Sequence, residues 1–447
     1  MNYQGLSEGL PQSASARLCE QEQQFLAPGL QEVAQLSQIA IREGKGRYLI
    51  DLEGRRYLDF MAGVAVCSLG HSHPRYVSAL RKQLEAVTIG SFTTECRVAL
   101  LRLIASLTPP GLDRIQLYSS GAEAVEAALR LAKAATKKFE ILSFWGGFHG
   151  KTGGVLGSIG DPFKQGWGPL HPGLHLAPYA DCYRCPFRMD YPGCGMYCLD
   201  FVRKVIKNST AGSLAAILVE PMQGTAGNIV PPPEFLPGLR EIARENDALL
   251  IADEMITGFG RTGRMFGSSH TGLTPDIMTI GKGMGNGFPI SGLISTTEIT
   301  SAQPFAKPSS SSSSYGGNPL ASTAALAAIS TIVEESLVDN SRRVGTHLLE
   351  GLRRLQGRFE FIGDVRGEGL LIGVELVKDR RTREPWERPV ARKLFLETLR
   401  RGLISMNYKA QFRINPPLSL TMDEADKGLQ ILEDVFSFAE KDLSYKS

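Results

Sequence analysis

The sequence has no excess of either charge. Forty-nine lysines and arginines stand against 46 aspartates and glutamates, leaving +3 at neutral pH, too little to point to nucleic acid or an anionic membrane as a partner. It has no long apolar run; none reaches the roughly 18 residues of a membrane span. No charged stretch followed by an apolar core opens the chain, so no secretory leader is expected and a cytoplasmic location is. Repeats and sustained heptads are absent too. What remains is a 447-residue chain of ordinary globular composition, 43% hydrophobic and 21% charged, long enough for two or three domains around a large core.

Cysteine is sparse except in one place. Cys19, Cys67 and Cys96 are scattered, while Cys182, Cys185, Cys194 and Cys198 fall within 17 residues. That cluster suits a thiophilic metal, two disulfides or four thiols in a compact loop. Its intervals are not those of a common zinc module, and no metal site is assigned.

Two runs organise the rest. Leu249 to Asp253 is an apolar strand ending on two acids, Asp253 and Glu254; Ile277 to Ile280 is a second apolar run, ending on Lys282 between glycines. A carboxylate there can hold a proton on a heteroaromatic nitrogen, and a desolvated lysine can form an imine. That reads as a pyridoxal phosphate site with Lys282 as its Schiff-base lysine. A strand-end salt bridge is the alternative on these runs alone.

The remaining pattern is strand, helix, strand. Helical stretches are expected around Glu20–Gln24 and Glu32–Ile41, then a strand pair at 47–52 and 56–60 about the turn Glu53-Gly54-Arg55. Pro74 starts a helix, and His71 and His73 read as turn residues. Arg114–Tyr118 is a strand running through Ser119-Ser120-Gly121-Ala122 into a helix, a small-residue turn that suits a phosphate. Strands at 141–145 and 215–220 deliver Phe148-His149 and Glu220; a Phe-His pair can cover a planar ring. Gly146 to Thr152 resembles a nucleotide-binding loop but lacks its first glycine. Residues 158–200 read as a long loop, and Ser309–Ser314 as a flexible linker. Parallel crossovers of this kind bind ligands at strand carboxyl ends. From about residue 337 a small α+β part follows. There Arg413, in a short apolar strand, is either paired or available to a carboxylate.

With these motifs in order, the chain resembles the class III aminotransferases, the fold type I pyridoxal phosphate enzymes that include 4-aminobutyrate and ornithine aminotransferases. The motifs are LGHSHP, SSGAEAVEAALRLA, FHGKT, VEPMQG, ADEMITGFGRTG, TIGKGMGNGFP, YGGNPLA and RINPPL. The resemblance implies an α/β fold with a mainly parallel seven-stranded sheet in a large domain (71–335), and a smaller α+β domain from both termini (1–70 and 336–447). It implies that Lys282 is the Schiff-base lysine and proton shuttle, and that Asp253 keeps the pyridine nitrogen protonated. Phe148 and Met255 would cover the two ring faces, with His149 and the strand-end Glu220 beside them. Gly121 and Ala122 would hold the phosphate, and Ser314 would reach the phosphate of a neighbouring subunit, implying a homodimer. Arg413, Lys151 and Val64 would line the substrate side. The activity implied is transfer of an amino group from an amine or ω-amino acid, 4-aminobutyrate-like, to a 2-oxo acid by ping-pong chemistry. Racemisation, epimerisation or decarboxylation on the same scaffold is the alternative, and a non-catalytic homologue the remote one. Four positions depart from the family pattern. Ala122 replaces Ser or Thr, Ile256 a glutamine, Thr225 the glutamate that gates the arginine, and Lys151 an arginine.

Overall fold

The computed structural model describes residues 13–442. Two helices, Ala14–Gln23 and Glu32–Ser37, come first, then three strands: β1 (Ile41–Lys45), β2 (Tyr48–Asp51) and β3 (Arg56–Asp59). Seven more follow: β4 (Arg114–Tyr118), β5 (Glu140–Phe144), β6 (Leu174–Ala177), β7 (Leu214–Val219), β8 (Leu249–Asp253), β9 (Ile277–Ile280) and β10 (Ser291–Ser295). They form one sheet in the order β4-β10-β9-β8-β7-β5-β6. Only β10 runs antiparallel to its neighbours. β5 and β7 are buried along their whole length. That is why they read as unbroken apolar runs: helices cover both faces of such a sheet. The helix Gly121–Thr136 covers one face with an alanine-rich side, and Phe235–Glu245 with Tyr197–Ser209 the other. A fully buried side chain such as Leu218 or Ile251 contributes about 1.5–3 kcal/mol.

The C-terminal part carries β11 (Ile362–Glu368), β12 (Leu371–Leu376), β13 (Leu403–Ile404) and β14 (Gln411–Ile414). β11, β12 and β14 form an antiparallel sheet. β13 lies parallel to β3, so the N-terminal strands close onto the C-terminal part. No single helix among the described residues is long and apolar enough to cross a membrane. The helices Pro319–Glu334 and Leu337–Arg358 pass that test only together; they meet at 65° and bury Ala325, Ile329, Leu348 and Leu352 in the core.

Several expectations are corrected. The helix expected to run to Ile41 stops at Ser37, and Ile41–Lys45 is a strand. The long loop at 158–200 contains β6 and the start of the helix Tyr197–Ser209. The serine run is no free linker. Ser311 is buried, and the Tyr118 hydroxyl donates to its carbonyl at 3.0 Å.

Candidate active site

The carboxyl ends of β5, β7, β8 and β9 meet at one place. Asp253 closes β8, and the parallel register sets it beside Thr279 of β9. Its Oδ1 accepts from Thr279 Oγ1 at 2.9 Å and from the Met255 amide at 3.1 Å; its Oδ2 lies 2.7 Å from His149 Nδ1. His149 reaches it across the end of β7. There Glu220 accepts from the Phe148 amide at 2.9 Å and the Gly224 amide at 3.0 Å. Asp253, His149 and Glu220 are all buried. Burial pushes the Asp253 carboxyl up, but the His149 hydrogen bond and the His149 and Lys282 charges outweigh it, so Asp253 stays below its ordinary range. Burial raises Glu220, although the His149 charge and two backbone N–H groups oppose it.

Lys282 follows β9 through Gly281 and starts a short turn with a positive φ of 42°. Burial depresses its ammonium group, while Asp253 and Glu220 pull the other way. Its amine therefore loses its proton more readily than an exposed lysine, as nucleophilic attack on a carbonyl requires.

The helix Gly121–Thr136 begins beside these groups. Ser120 Oγ accepts from the Glu123 amide at 3.3 Å, and the Glu123 carboxylate accepts from the Ser119 amide at 2.9 Å. No hydrogen bond occupies the Gly121 and Ala122 N–H groups among the described residues. Two free donors at the head of a 16-residue helix suit a phosphate. The pieces touch. A Cβ at Gly121 would lie 3.2 Å from Met255 Sδ, one at Gly281 2.6 Å from the same sulfur, and one at Gly150 2.4 Å from Ala122 Cβ. Asp253 keeps one unused lone pair on Oδ2. A buried, ionised acceptor, a depressed lysine, two free amides and the partly exposed Phe148 ring are the donor set that pyridoxal phosphate needs.

The facing wall is built differently. Arg413 stands on β14 opposite Gly373, with Nη1 3.4 Å from the Gly224 carbonyl. Burial lowers its pKa, partly offset by Tyr408. Arg413 forms no ion pair with a carboxylate among the described residues. Lys151 is exposed, 4.1 Å from the Phe163 ring centre and 5.7 Å from that of Phe148. Ile256 is buried with Ala65, Met222 and Leu371, and Thr225 is half-buried. Val64 packs against the cluster of Tyr57, Met406 and Tyr408, with φ at +68°; a left-handed residue other than glycine costs about 1–2 kcal/mol. Ser314 is exposed and touches none of this.

Thr279, Tyr408 and Phe163 were not expected here. Thr279 alone left a signal: two parallel strands ending on Asp253 and Lys282 place a β9 side chain beside Asp253. The four clustered cysteines are free thiols lining one small cavity with Tyr179, Phe187 and Tyr197. Burial pushes Cys182 and Cys198 up to about 11.

The fold and these groups define a pyridoxal phosphate enzyme. The profile of the family "Aminotransferase class-III" matches residues 31–436. A leucine/methionine racemase of Thermococcus litoralis is 35% identical over 89% of this chain and 90% of its own length. A 5-aminovalerate aminotransferase of Pseudomonas putida is 36% identical over 91% and 95%. The structure of an amine transaminase from an uncultivated Pseudomonas species, in its pyridoxal phosphate-bound form, superposes with a TM-score of 0.87 at 31% identity, covering 92% of this chain and 98% of that one. The chain belongs to the class III aminotransferases. It is a pyridoxal 5'-phosphate-dependent transaminase, with an amine donor and a 2-oxo acid as substrates.

Proposed function

We propose that this enzyme moves the amino group of an amine or ω-amino acid, 4-aminobutyrate-like, to a 2-oxo acid held at its carboxylate by Arg413. Bound pyridoxal phosphate supplies a carbonyl carbon that takes the amino group and a ring that accepts the electron pair released at the substrate carbon. Lys282 holds the cofactor and then carries the proton to and from that carbon. Asp253 keeps the ring nitrogen protonated, with His149 and Thr279 fixing its orientation. Gly121 and Ala122 bind the phosphate through backbone amides, Phe148 and Met255 flank the ring, and Glu220 orders the loop that carries Phe148. Lys151 and Val64 line the substrate side.

The observation that carries this reading is that, among the described residues, no carboxylate pairs directly with Arg413; Glu220 and Asp161 act on it only from farther away. A half-buried guanidinium near Lys282 without a direct ion pair is open to a substrate carboxylate. The same openness supports a second reading, racemisation. An α-amino acid would stay gripped in both directions, and the Thermococcus litoralis relative carries that activity by name. Purified holoenzyme offered 5-aminovalerate, 4-aminobutyrate, L-leucine and L-alanine separates the two. Amino transfer that requires 2-oxoglutarate supports transamination. Formation of the D-isomer without any oxo acid supports racemisation and overturns the first reading.

The homodimer and the cytoplasmic location belong to the same proposal. Ser314 lies beside Tyr315, 75% exposed, and a Cβ on Gly90 would touch Asn318 at 3.3 Å. Near Gly90, Ile89 is 59% and Phe92 68% exposed. Exposed apolar side chains around Ser314 suit a subunit interface. A fully active monomer in solution would refute it. The division into residues 71–335 and the two terminal parts is read the same way.

A further inference from the structure

The cysteine-bearing loop between β6 and the helix Tyr197–Ser209 sends two side chains onto the C-terminal antiparallel sheet, both from between Cys182 and Cys185. Tyr183 lies on β11, where a Cβ on Gly363 would come within 2.1 Å of its hydroxyl. Arg184 reaches β12. Its Nε and Nη2 donate to Glu375 Oε2 at 3.1 and 2.9 Å, and its Nη1 donates to the Arg383 carbonyl at 3.0 Å. The Asp181 carboxylate fixes the turn by accepting from the Arg184 amide at 3.1 Å. Glu375 is fully buried and shared. Its other oxygen, Oε1, accepts from Arg366 Nη2 at 2.8 Å. A buried carboxylate between two guanidinium groups is satisfied only while both stay in place.

Arg366 passes this on to the active site. It donates to the Gly227 carbonyl at 2.8 Å and to the Asn228 carbonyl at 3.3 Å, and pairs with Asp364 at 2.8 Å. The segment it holds is the one that Arg413 leans on. The Gly224 amide donates to Glu220, and the Gly224 carbonyl accepts from Arg413 Nη1 at 3.4 Å. Three residues on, the Gly227 carbonyl lies over Gly373, where a Cβ would come within 2.2 Å of it, and Gly373 faces Arg413 across β12 and β14. Asn228 Nδ2 donates to the Ile372 carbonyl at 2.7 Å and to Asn415 Oδ1 at 2.8 Å. The backbone from Gly224 to Asn228 is therefore set from the C-terminal sheet, and Arg184 is the far anchor of that setting.

We propose that Arg184 is a positioning residue for the 2-oxo acid: through Glu375 and Arg366 it sets the Gly224–Asn228 loop, and with it the direction in which the Arg413 guanidinium meets the substrate carboxylate. This rests on the reading of Arg413 given above. The test uses holoenzyme, with cofactor loading followed by visible absorption and the two half-reactions measured apart, the first with butylamine and the second with 2-oxoglutarate. Arg184→Ala should raise the apparent binding constant for 2-oxoglutarate about three- to tenfold and change the butylamine half-reaction by less than about twofold. Arg184→Lys keeps a cation against Glu375 without the fork and should fall between the parent and Arg184→Ala. The double variant with Arg413→Ala should bind 2-oxoglutarate no worse than Arg413→Ala alone, because the two residues act on one contact. Additive losses in the double variant, an unchanged 2-oxoglutarate constant in Arg184→Ala, or equal losses in both half-reactions would each overturn the proposal. If Arg184→Ala does not load, Arg184→Lys and Glu375→Gln carry the test, and an unchanged 2-oxoglutarate constant in both overturns it. An Arg413→Ala enzyme with the parent affinity for 2-oxoglutarate overturns the reading of Arg413, and the proposal with it.

Discussion

The two sides of the active site are held by different means. On the cofactor side, Asp253 accepts three hydrogen bonds from three elements, and each functional group sits at the end of a strand in one sheet. On the substrate side, Val64 stands in a left-handed turn, Lys151 lies exposed over an aromatic ring, and the Arg413 guanidinium is held by the Gly224 carbonyl at 3.4 Å and by Tyr408. The first side comes from the central sheet; the second combines Lys151, from the loop after β5, with N- and C-terminal segments that meet through β3 and β13. On the function proposed, the difference separates chemistry from selectivity. All four departures from the family pattern, at Ala122, Thr225, Ile256 and Lys151, leave Asp253 and Lys282 untouched.

The contrast breaks first, and most, at Lys282. Lys282→Ala should lower turnover by at least about 10⁴-fold, the upper range of general acid–base catalysis, for every donor alike, and abolish the visible absorption of the lysine-bound cofactor. Residual activity that differed between donors would place Lys282 in selectivity. Asp253→Asn should cost about 10²–10³-fold in kcat with KM for the oxo acid nearly unchanged. A loss confined to KM would remove Asp253 from the chemistry.

A third test concerns stability on the substrate side. Burial alone would lower the His71 imidazole, but its hydrogen bonds to Asp59 and Cys67 outweigh this and hold it at about 9, against an ordinary 6.5. A folded value above the unfolded one means stabilisation that is complete below 6.5 and lost as pH rises through about 9. The titratable and charged groups facing this site are Asp59, Cys67 and the buried Arg261. The Tm should therefore fall over that range in the parent and fall less in Asp59→Asn. Equal slopes would deny the ion pair. The smallest effect is expected at Lys151. Lys151→Gln should raise the KM for a dicarboxylic oxo acid at most about fivefold, because an exposed charge is worth about 0.2–1 kcal/mol.

Much of the cofactor side was legible from local pattern. Arg114–Tyr118 reads as a strand with the bounds it has, and an apolar run ending on an acid or on a glycine-flanked lysine marks a strand end. What was hidden is non-local or locally atypical. The contact between His149 and Asp253 crosses β7 and joins residues 104 apart. Ile41–Lys45 is an exposed, charged strand with a bulge, so it lacks the alternation that marks a half-buried one. Ser291–Ser295 is short and carries serine and glycine, and its place between β4 and β9 comes from the sheet. The left-handed turn at 62–65 looks in sequence like any small apolar segment. The Met61 and Ala62 amides that open it donate to Asp59 Oδ1, and Asp59 Oδ2 lies 2.9 Å from His71 Nε2, contacts that the local sequence does not show.

The most direct test of the separation is Arg413→Ala, followed by first half-reaction rates with L-norvaline and with butylamine, which share a chain but differ in the α-carboxylate. The carboxylate-bearing donor should lose about 10–100-fold in apparent affinity, the scale of one charged hydrogen-bonded pair, and the amine almost nothing. Equal losses for both donors would contradict it.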